Sequence, residues 1–161
     1  MNNLFLRQVM FRGASSLSLD DKGRFAVPTK YRDAILSEDQ GTVICTVALN
    51  EPCLWLYPLA EWLEIEERLL KISNMNPRAR RMQRMLLGNA TEYQLDKNGR
   101  ILLAPSLRAH AELGKKIMLV GLMNKFEIWD EDRWHEQMRQ DTEIERLGDF
   151  EANPEFDNFS L

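Results

Sequence analysis

Polar and apolar positions alternate along residues 14–19: Ala14, Ser16 and Ser18 fall on one side, and Ser15, Leu17 and Leu19 on the other. That two-residue period predicts a strand. It runs into Asp20-Asp21-Lys22-Gly23-Arg24, a glycine among polar residues, which is turn chemistry. A second short strand ends at Pro28, and a short helix is predicted over Thr29–Leu36. The apolar runs Thr42–Leu49 and Leu54–Tyr57 read as two more strands. Leu59, Trp62, Leu63, Leu69 and Leu70 then recur at roughly helical spacing, with Pro58 suited to the first helical position.

The same succession returns in the second half of the chain. Leu19-Asp20-Asp21-Lys22-Gly23-Arg24 is matched by Leu95-Asp96-Lys97-Asn98-Gly99-Arg100, with Leu, Asp, Gly and Arg in register at an offset of 76 residues. Pro28 matches Pro105 only if one residue is inserted, which predicts a slightly shifted second loop. Both prolines are soon followed by an arginine, Arg32 and Arg108. A helix over Ser106–Leu113, strands over Lys116–Leu122 and Phe126–Trp129, and a closing helix holding Trp134 and Met138 complete the repeat. Leu54 through Trp62 aligns with Phe126 through Trp134, and Asp130 is the predicted N-cap of the last helix.

This divides the chain into a first half, residues 11–73 (core 14–61), a linker, 74–87, a second half, 88–140 (core 90–133), and a tail, 141–161. The linker holds Arg78, Arg80, Arg81 and Arg84 and no acid, while Met82, Met85 and Leu86 predict a helix with one packed face. The tail begins helically, with Gly148 as a C-cap, and its end is expected to be mobile. A half of about 60 residues buries little of its surface and is marginal alone. Two copies are therefore expected to pair.

Composition changes this picture little. Of 161 residues, 44% are hydrophobic and 29% charged, the balance of an ordinary globular protein. No segment has the length of a membrane span, and the N-terminus lacks the apolar core of a secretory signal, so a cytoplasmic location is expected. Cys45 and Cys53 form no C-x-x-C pair and are read as buried free thiols. No cofactor, metal or small-molecule substrate is implied. No P-loop, G-x-S-x-G, H-E-x-x-H or dinucleotide motif is present, and Asp20 and Asp96 sit in basic turns without a partner that would raise a pKa, so no enzyme is expected.

Charge matters through its placement. The net charge is −4, but Asp141, Glu143, Glu145, Asp149, Glu151, Glu155 and Asp157 against Arg146 put −6 in the tail, leaving +2 on residues 1–140. A mildly basic body remains compatible with DNA.

With these residues in place, the chain resembles the MraZ family of bacterial transcriptional regulators, which have two SpoVT-AbrB-type halves. The resemblance rests on Met10-Phe11-Arg12-Gly13, on Asp20-Asp21-Lys22-Gly23-Arg24 with Pro28 and Arg32, and on Leu54, Tyr57 and Pro58. It continues through Met75-Asn76-Pro77 to Arg80-Arg81, and through Asp96-Lys97-Asn98-Gly99-Arg100. It begins at Met10, leaving Met1–Val9 as an extension without an assigned role. The resemblance implies an α+β, β-rich fold. It would be built of tandem AbrB-like swapped-hairpin β-barrel halves with short helices and an internal pseudo-two-fold. It also implies a ring-shaped homo-oligomer that binds repeated boxes of double-stranded DNA. The target would be the promoter of the protein's own cell-division and cell-wall gene cluster, with a repressing role and a nucleoid location. The family's DNA-facing loop falls on Lys22 and Arg24, and on Lys97 and Arg100.

Chemistry agrees with that placement. Arginine can fork onto guanine O6 and N7, and lysine can serve a phosphate. Asp20 and Asp96 are expected to orient or cap their loops, because a carboxylate facing phosphate is repelled. The plainer alternative is that Asp20 and Arg24 pair across the hairpin and only hold the turn. The arginine linker could meet phosphates, or pack and pair with the acids of the closing helix, Glu61, Glu64, Glu66 and Glu67. Trp62 and Trp134 are read as core or interface residues. A second functional class is an AbrB-fold protein-binding module or antitoxin-like regulator, gripping a partner with Phe150, Phe156 and Phe159.

Overall fold

The alternation at the start of the chain becomes strand β1, Phe11–Ser18, with Leu17 turned toward the core and Arg12, Ala14 and Ser16 exposed. A computed structural model describes residues 10–148, 150–156 and 159. The extension Met1–Val9 and part of the chain's end, on which the expected mobility falls, lie outside these. The chain divides into two compact units, one ending at Glu131 and the other starting at Asp132.

In the first unit β1 is followed by β2 (Arg24–Ala26), α1 (Thr29–Leu36), a 3₁₀ turn (Asp39–Gly41), β3 (Thr42–Val47), β4 (Leu54–Pro58), α2 (Leu59–Leu70) and α3 (Pro77–Leu86). The second half supplies β5 (Thr91–Gln94), β6 (Arg100–Leu102), α4 (Pro105–His110), β7 (Lys116–Met123) and β8 (Lys125–Asp130). The fold is therefore α+β with mostly antiparallel sheet, as expected.

The strand order is β1-β7-β8-β4-β3-β5, all antiparallel. The hairpins β3–β4 and β7–β8 form the middle of the sheet. Each half's first strand leaves its own hairpin and pairs with the other's: β1 with β7, from Phe11↔Met123 to Ser18↔Lys116, and β5 with β3. The small second sheet is also shared, β2 pairing with β6 as Arg24↔Leu102, Phe25↔Ile101 and Ala26↔Arg100. With β4 against β8 in the middle of the large sheet, four separate pairings cross between the halves, and neither half closes its sheet alone.

One core unites the halves. Phe25, Val27, Leu54 and Leu56 from the first pack with Ile101, Leu103, Ile117, Leu119, Phe126 and Ile128 from the second, all nearly inaccessible. On the opposite face of β3 and β4, Ile44 and Tyr57 meet Trp62 and Leu69 of α2 and Leu86 of α3, so these strands are covered on both sides. Trp62 is a core residue, its indole N–H donating to Glu66 Oε1 at 2.6 Å. The linker helix is capped by Asn76, whose Oδ1 accepts from the backbone of Arg78 at 2.8 Å, with Pro77 in the first turn. Its far end is pinned where the buried Thr46 hydroxyl donates to the Leu86 carbonyl at 2.7 Å. Both cysteines are free and buried, and burial pushes their thiol pKa values up.

The structure corrects the alignment of the repeats. Residue Ala104 (φ −58, ψ 141), not Pro105, takes the cap position held in the first half by Pro28 (φ −53, ψ 140). No residue is inserted, and the 76-residue offset runs on through Tyr31 and Leu107, both buried, to Arg32 and Arg108. Pro105 simply occupies the first turn of α4. Pro58 likewise serves as the cap of α2 rather than its first helical residue. Helix α4 stops at His110, short of the predicted Leu113, because Glu112 takes a left-handed φ of 50°.

The second unit comprises nearly all of α5 (Glu131–Leu147) and the chain beyond it. The helix runs without a break past Gln140 into the acidic segment. Glu136 pairs with Arg139 at 2.7 Å and Glu143 with Arg146 at 3.1 Å, at i,i+3 spacing that supports an exposed helix. Gly148, at φ 65°, comes directly after its last turn. Among the described residues no helix is long and apolar enough to cross a membrane.

Because the sheets are shared, damage at the shared ribbon should reach both halves. Replacing Phe25 by Ala is expected to cost about 3–5 kcal/mol. Hydrogen exchange should then rise in β3–β4 and β7–β8 together. Unchanged protection of β7–β8 would contradict the shared core.

Candidate nucleic-acid interface

The two Asp-x-x-x-Arg loops have one geometry. In the first, the Asp20 carbonyl accepts from Gly23 N at 2.9 Å, closing a turn. Asp20 Oδ1 accepts from the backbone of Lys22 and of Arg24, each at 2.9 Å, and Oδ2 accepts from Arg24 Nε at 2.7 Å. In the second, Gly99 N reaches the Asp96 carbonyl at 2.9 Å. Asp96 Oδ1 accepts from Asn98 N at 2.8 Å and Arg100 N at 2.9 Å, and Oδ2 from Arg100 Nε at 3.0 Å. Each aspartate therefore caps its own loop and orients its arginine. The carboxylate is satisfied within the loop, and Asp and Arg both remain about one third exposed.

These bonds hold the carboxyl groups in the charged form. Asp20 is lowered from 3.8 to about 2, chiefly by the backbone N–H of Arg24 and further by its side chain. Asp96 is lowered for the same first reason.

Pairing across the ribbon then brings the two arginines together. Its register is symmetric about Phe25–Ile101, whose side chains point into the core. Arg24, Ala26, Arg100 and Leu102 all lie on the opposite, outward face. Arg24 and Arg100 are diagonal neighbours there, a spacing that long side chains can span. The loops extend from opposite ends of the ribbon. The Nη groups of both arginines form no hydrogen bond among the described residues, nor do the exposed side chains of Lys22 and Lys97.

The lysines are not equivalent. Lys22 stands two residues after its aspartate and Lys97 one, so Lys97 corresponds in place to Asp21 and Lys22 to Asn98. The second loop is the more positive of the two.

Arg32 and Arg108, which the sequence marks only as following each repeat's proline, have a structural role. Each reaches across to the loop of the other half. Arg32 Nε donates to the Val27 carbonyl at 2.6 Å, and Val27 N donates to the Gly99 carbonyl at 2.9 Å. Arg108 Nε donates to the Leu103 carbonyl at 3.1 Å, and Leu103 N to the Gly23 carbonyl at 3.0 Å. A Cβ on Gly99 would stand 2.3 Å from Arg32 Nε, and one on Gly23 would stand 2.7 Å from Arg108 Nε. These glycines are needed twice, for a left-handed φ (87° at Gly23, 71° at Gly99) and for room beneath a guanidinium. The first need is readable from the turn; the second crosses the halves and leaves no local trace.

The linker arginines are exposed on α3. Among the described residues none of them forms an ion pair with the acids of α2; Arg80 donates to the Asn74 carbonyl at 2.8 Å, and Glu67 pairs with Lys71.

The fold and these loops thus define a class: an α+β protein of two tandem, strand-sharing repeats with a basic ribbon between them. A family profile described as "MraZ protein, putative antitoxin-like" matches residues 10–85 and again 86–153. A protein of Pseudoalteromonas translucida named transcriptional regulator MraZ is 90% identical over 152 residues, covering 94% of this chain and all of its own length. Proteins of the same name from Idiomarina loihiensis and Escherichia coli O9:H4 are 56% and 50% identical over the same shares. The chain belongs to the MraZ family.

A depressed Asp20 stabilises its loop fully above its ordinary value of 3.8, and this is lost as pH falls through about 2. A carboxyl-carbon NMR titration should place Asp20 near 2. Arg24→Ala should raise the midpoint only part of the way, because both backbone donors remain. A wild-type midpoint at the ordinary value would contradict the capping geometry.

Proposed function

We propose that this chain is a sequence-specific DNA-binding transcriptional regulator and not an enzyme, with Lys22, Arg24, Lys97 and Arg100 facing the duplex. The observation that carries the reading is the placement of Arg24 and Arg100 as diagonal neighbours on the exposed face of a two-stranded antiparallel ribbon. The major groove of B-DNA admits such a ribbon, and guanine offers O6 and N7 to a forked arginine. Each arginine is steered through Nε by an aspartate that two backbone N–H groups already hold in place, so little orienting entropy is left to lose on binding. Lys22 and Lys97, at the turn tips, suit the flanking phosphates. The relatives' shared name, transcriptional regulator, supports the same class.

Family membership extends the proposal. The paired halves form a swapped-hairpin barrel of AbrB type, a reading supported by the strand exchange between them. The protein assembles as a homo-oligomeric ring. It represses its own cell-division and cell-wall gene cluster by binding repeated promoter boxes in the nucleoid. A ring makes later loop–box contacts intramolecular and can raise affinity by about 10²–10⁴.

One observation favours the second reading, a protein-binding or antitoxin-like regulator. Phe150, Phe156 and Phe159 are more than half exposed and line one cavity with Glu145 and Glu151. Truncation after Gln140 separates the two: a DNA regulator keeps specific binding.

Arg24→Ala should lose about 1–3 kcal/mol for each engaged loop while the oligomer survives. Arg100→Ala should do the same, since no insertion displaces the second loop. Titration with promoter DNA and size-exclusion chromatography check both; a variant that falls to monomers would make these arginines structural. Fragments with several boxes one helical turn apart should bind far more tightly than single-box or half-turn-shifted fragments. Equal affinities for all three would overturn the ring mechanism.

A further inference from the structure

We propose that Arg32 and Arg108 are positioning residues, each setting the DNA-facing loop of the opposite half, so that the two loops are held as one coupled pair. The inference rests on the DNA-facing reading of the loops for its functional consequence, but its geometry does not.

Each guanidinium is fixed at two points. Its Nε–H is spent on a backbone carbonyl at the exit of its own half's short strand, Val27 or Leu103. Its Nε end also fills the space where a Cβ on the other half's turn glycine would stand, and Gly23 and Gly99 are buried inside otherwise exposed loops. The carbonyl-bearing residue also donates its own N–H to that same glycine. The result is a closed circuit of arginine, strand exit and opposite loop, present twice and related by the symmetry of the ribbon. Among the described residues no carboxylate lies within ion-pair distance of Arg32 or Arg108. Charge neutralisation therefore does not explain either residue. Shape and the Nε–H do, and both are properties lysine lacks.

The consequence is a crossing of responsibility. Helix α1 belongs to the first half but controls the turn before Arg100. Helix α4 belongs to the second half but controls the turn before Arg24. A purely stabilising role predicts that loss of Arg32 loosens both loops alike. A simple phosphate contact predicts that a lysine replaces it.

The test uses the full-length chain with Arg32→Lys and, as its mirror, Arg108→Lys. Hydrogen exchange is measured without DNA, and affinity for a multi-box promoter fragment is measured alone and together with Lys22→Ala or Lys97→Ala. Arg32→Lys should speed exchange of residues 97–100 by about fivefold or more and leave 21–24 unchanged; Arg108→Lys should do the reverse. On DNA, the effect of Arg32→Lys should be non-additive with Lys97→Ala and additive with Lys22→Ala. Equal loosening of both loops, loosening of the same-half loop, no change in either, or full replacement by lysine would each overturn the proposal. If one variant is too unstable to measure, its mirror decides. If the wild-type chain binds none of the fragments, the DNA reading fails, while the exchange pattern still decides whether the arginines position the loops.

Discussion

The three-residue pairing of β2 with β6 is the constraint on which the rest depends. It is short, yet it is shared by both halves and centred on two core side chains, Phe25 and Ile101. Burial on its inner face ties it to the common core. The strict alternation of a strand then obliges Arg24 and Arg100 to face outward together. The same register sets Gly23 against Leu103 and Gly99 against Val27, which is where Arg108 and Arg32 attach. Core packing, loop shape and the basic face are consequences of one ladder.

Exchange of strands explains how such small repeats hold together. A half of this size has too little interior to be stable alone. Here β1 and β5 each complete the sheet of the other half, and the main core draws on both. The loops can then stay exposed and polar, because their aspartates satisfy the turn from within and the core does not need them.

Features set by near neighbours could be read from the chain. The Asp-x-x-x-Arg turns, helix α1, the strands of both hairpins and the arginine-rich linker helix arise from local spacing and turn chemistry. Features set by distant partners could not. Nothing in Phe11–Ser18 names β7 as its partner, and nothing near Arg32 points to Gly99. Matching the prolines by identity implies an insertion before Pro105 that the backbone does not need: it asks only for an extended cap, which Ala104 supplies as well as Pro28. Repetition marks Arg24 and Arg100 in the chain, but their shared face follows only from the register of the ribbon.

In the proposed complex one ribbon presents both arginines to one groove. A structure of the chain bound to a multi-box fragment of the promoter upstream of its own gene tests it most directly. Arg24 and Arg100 of one protomer should lie in the same major groove, with Nη atoms about 2.7–3.2 Å from base edges. Loops turned to solvent, with the duplex lying along the arginines of α3, would contradict it.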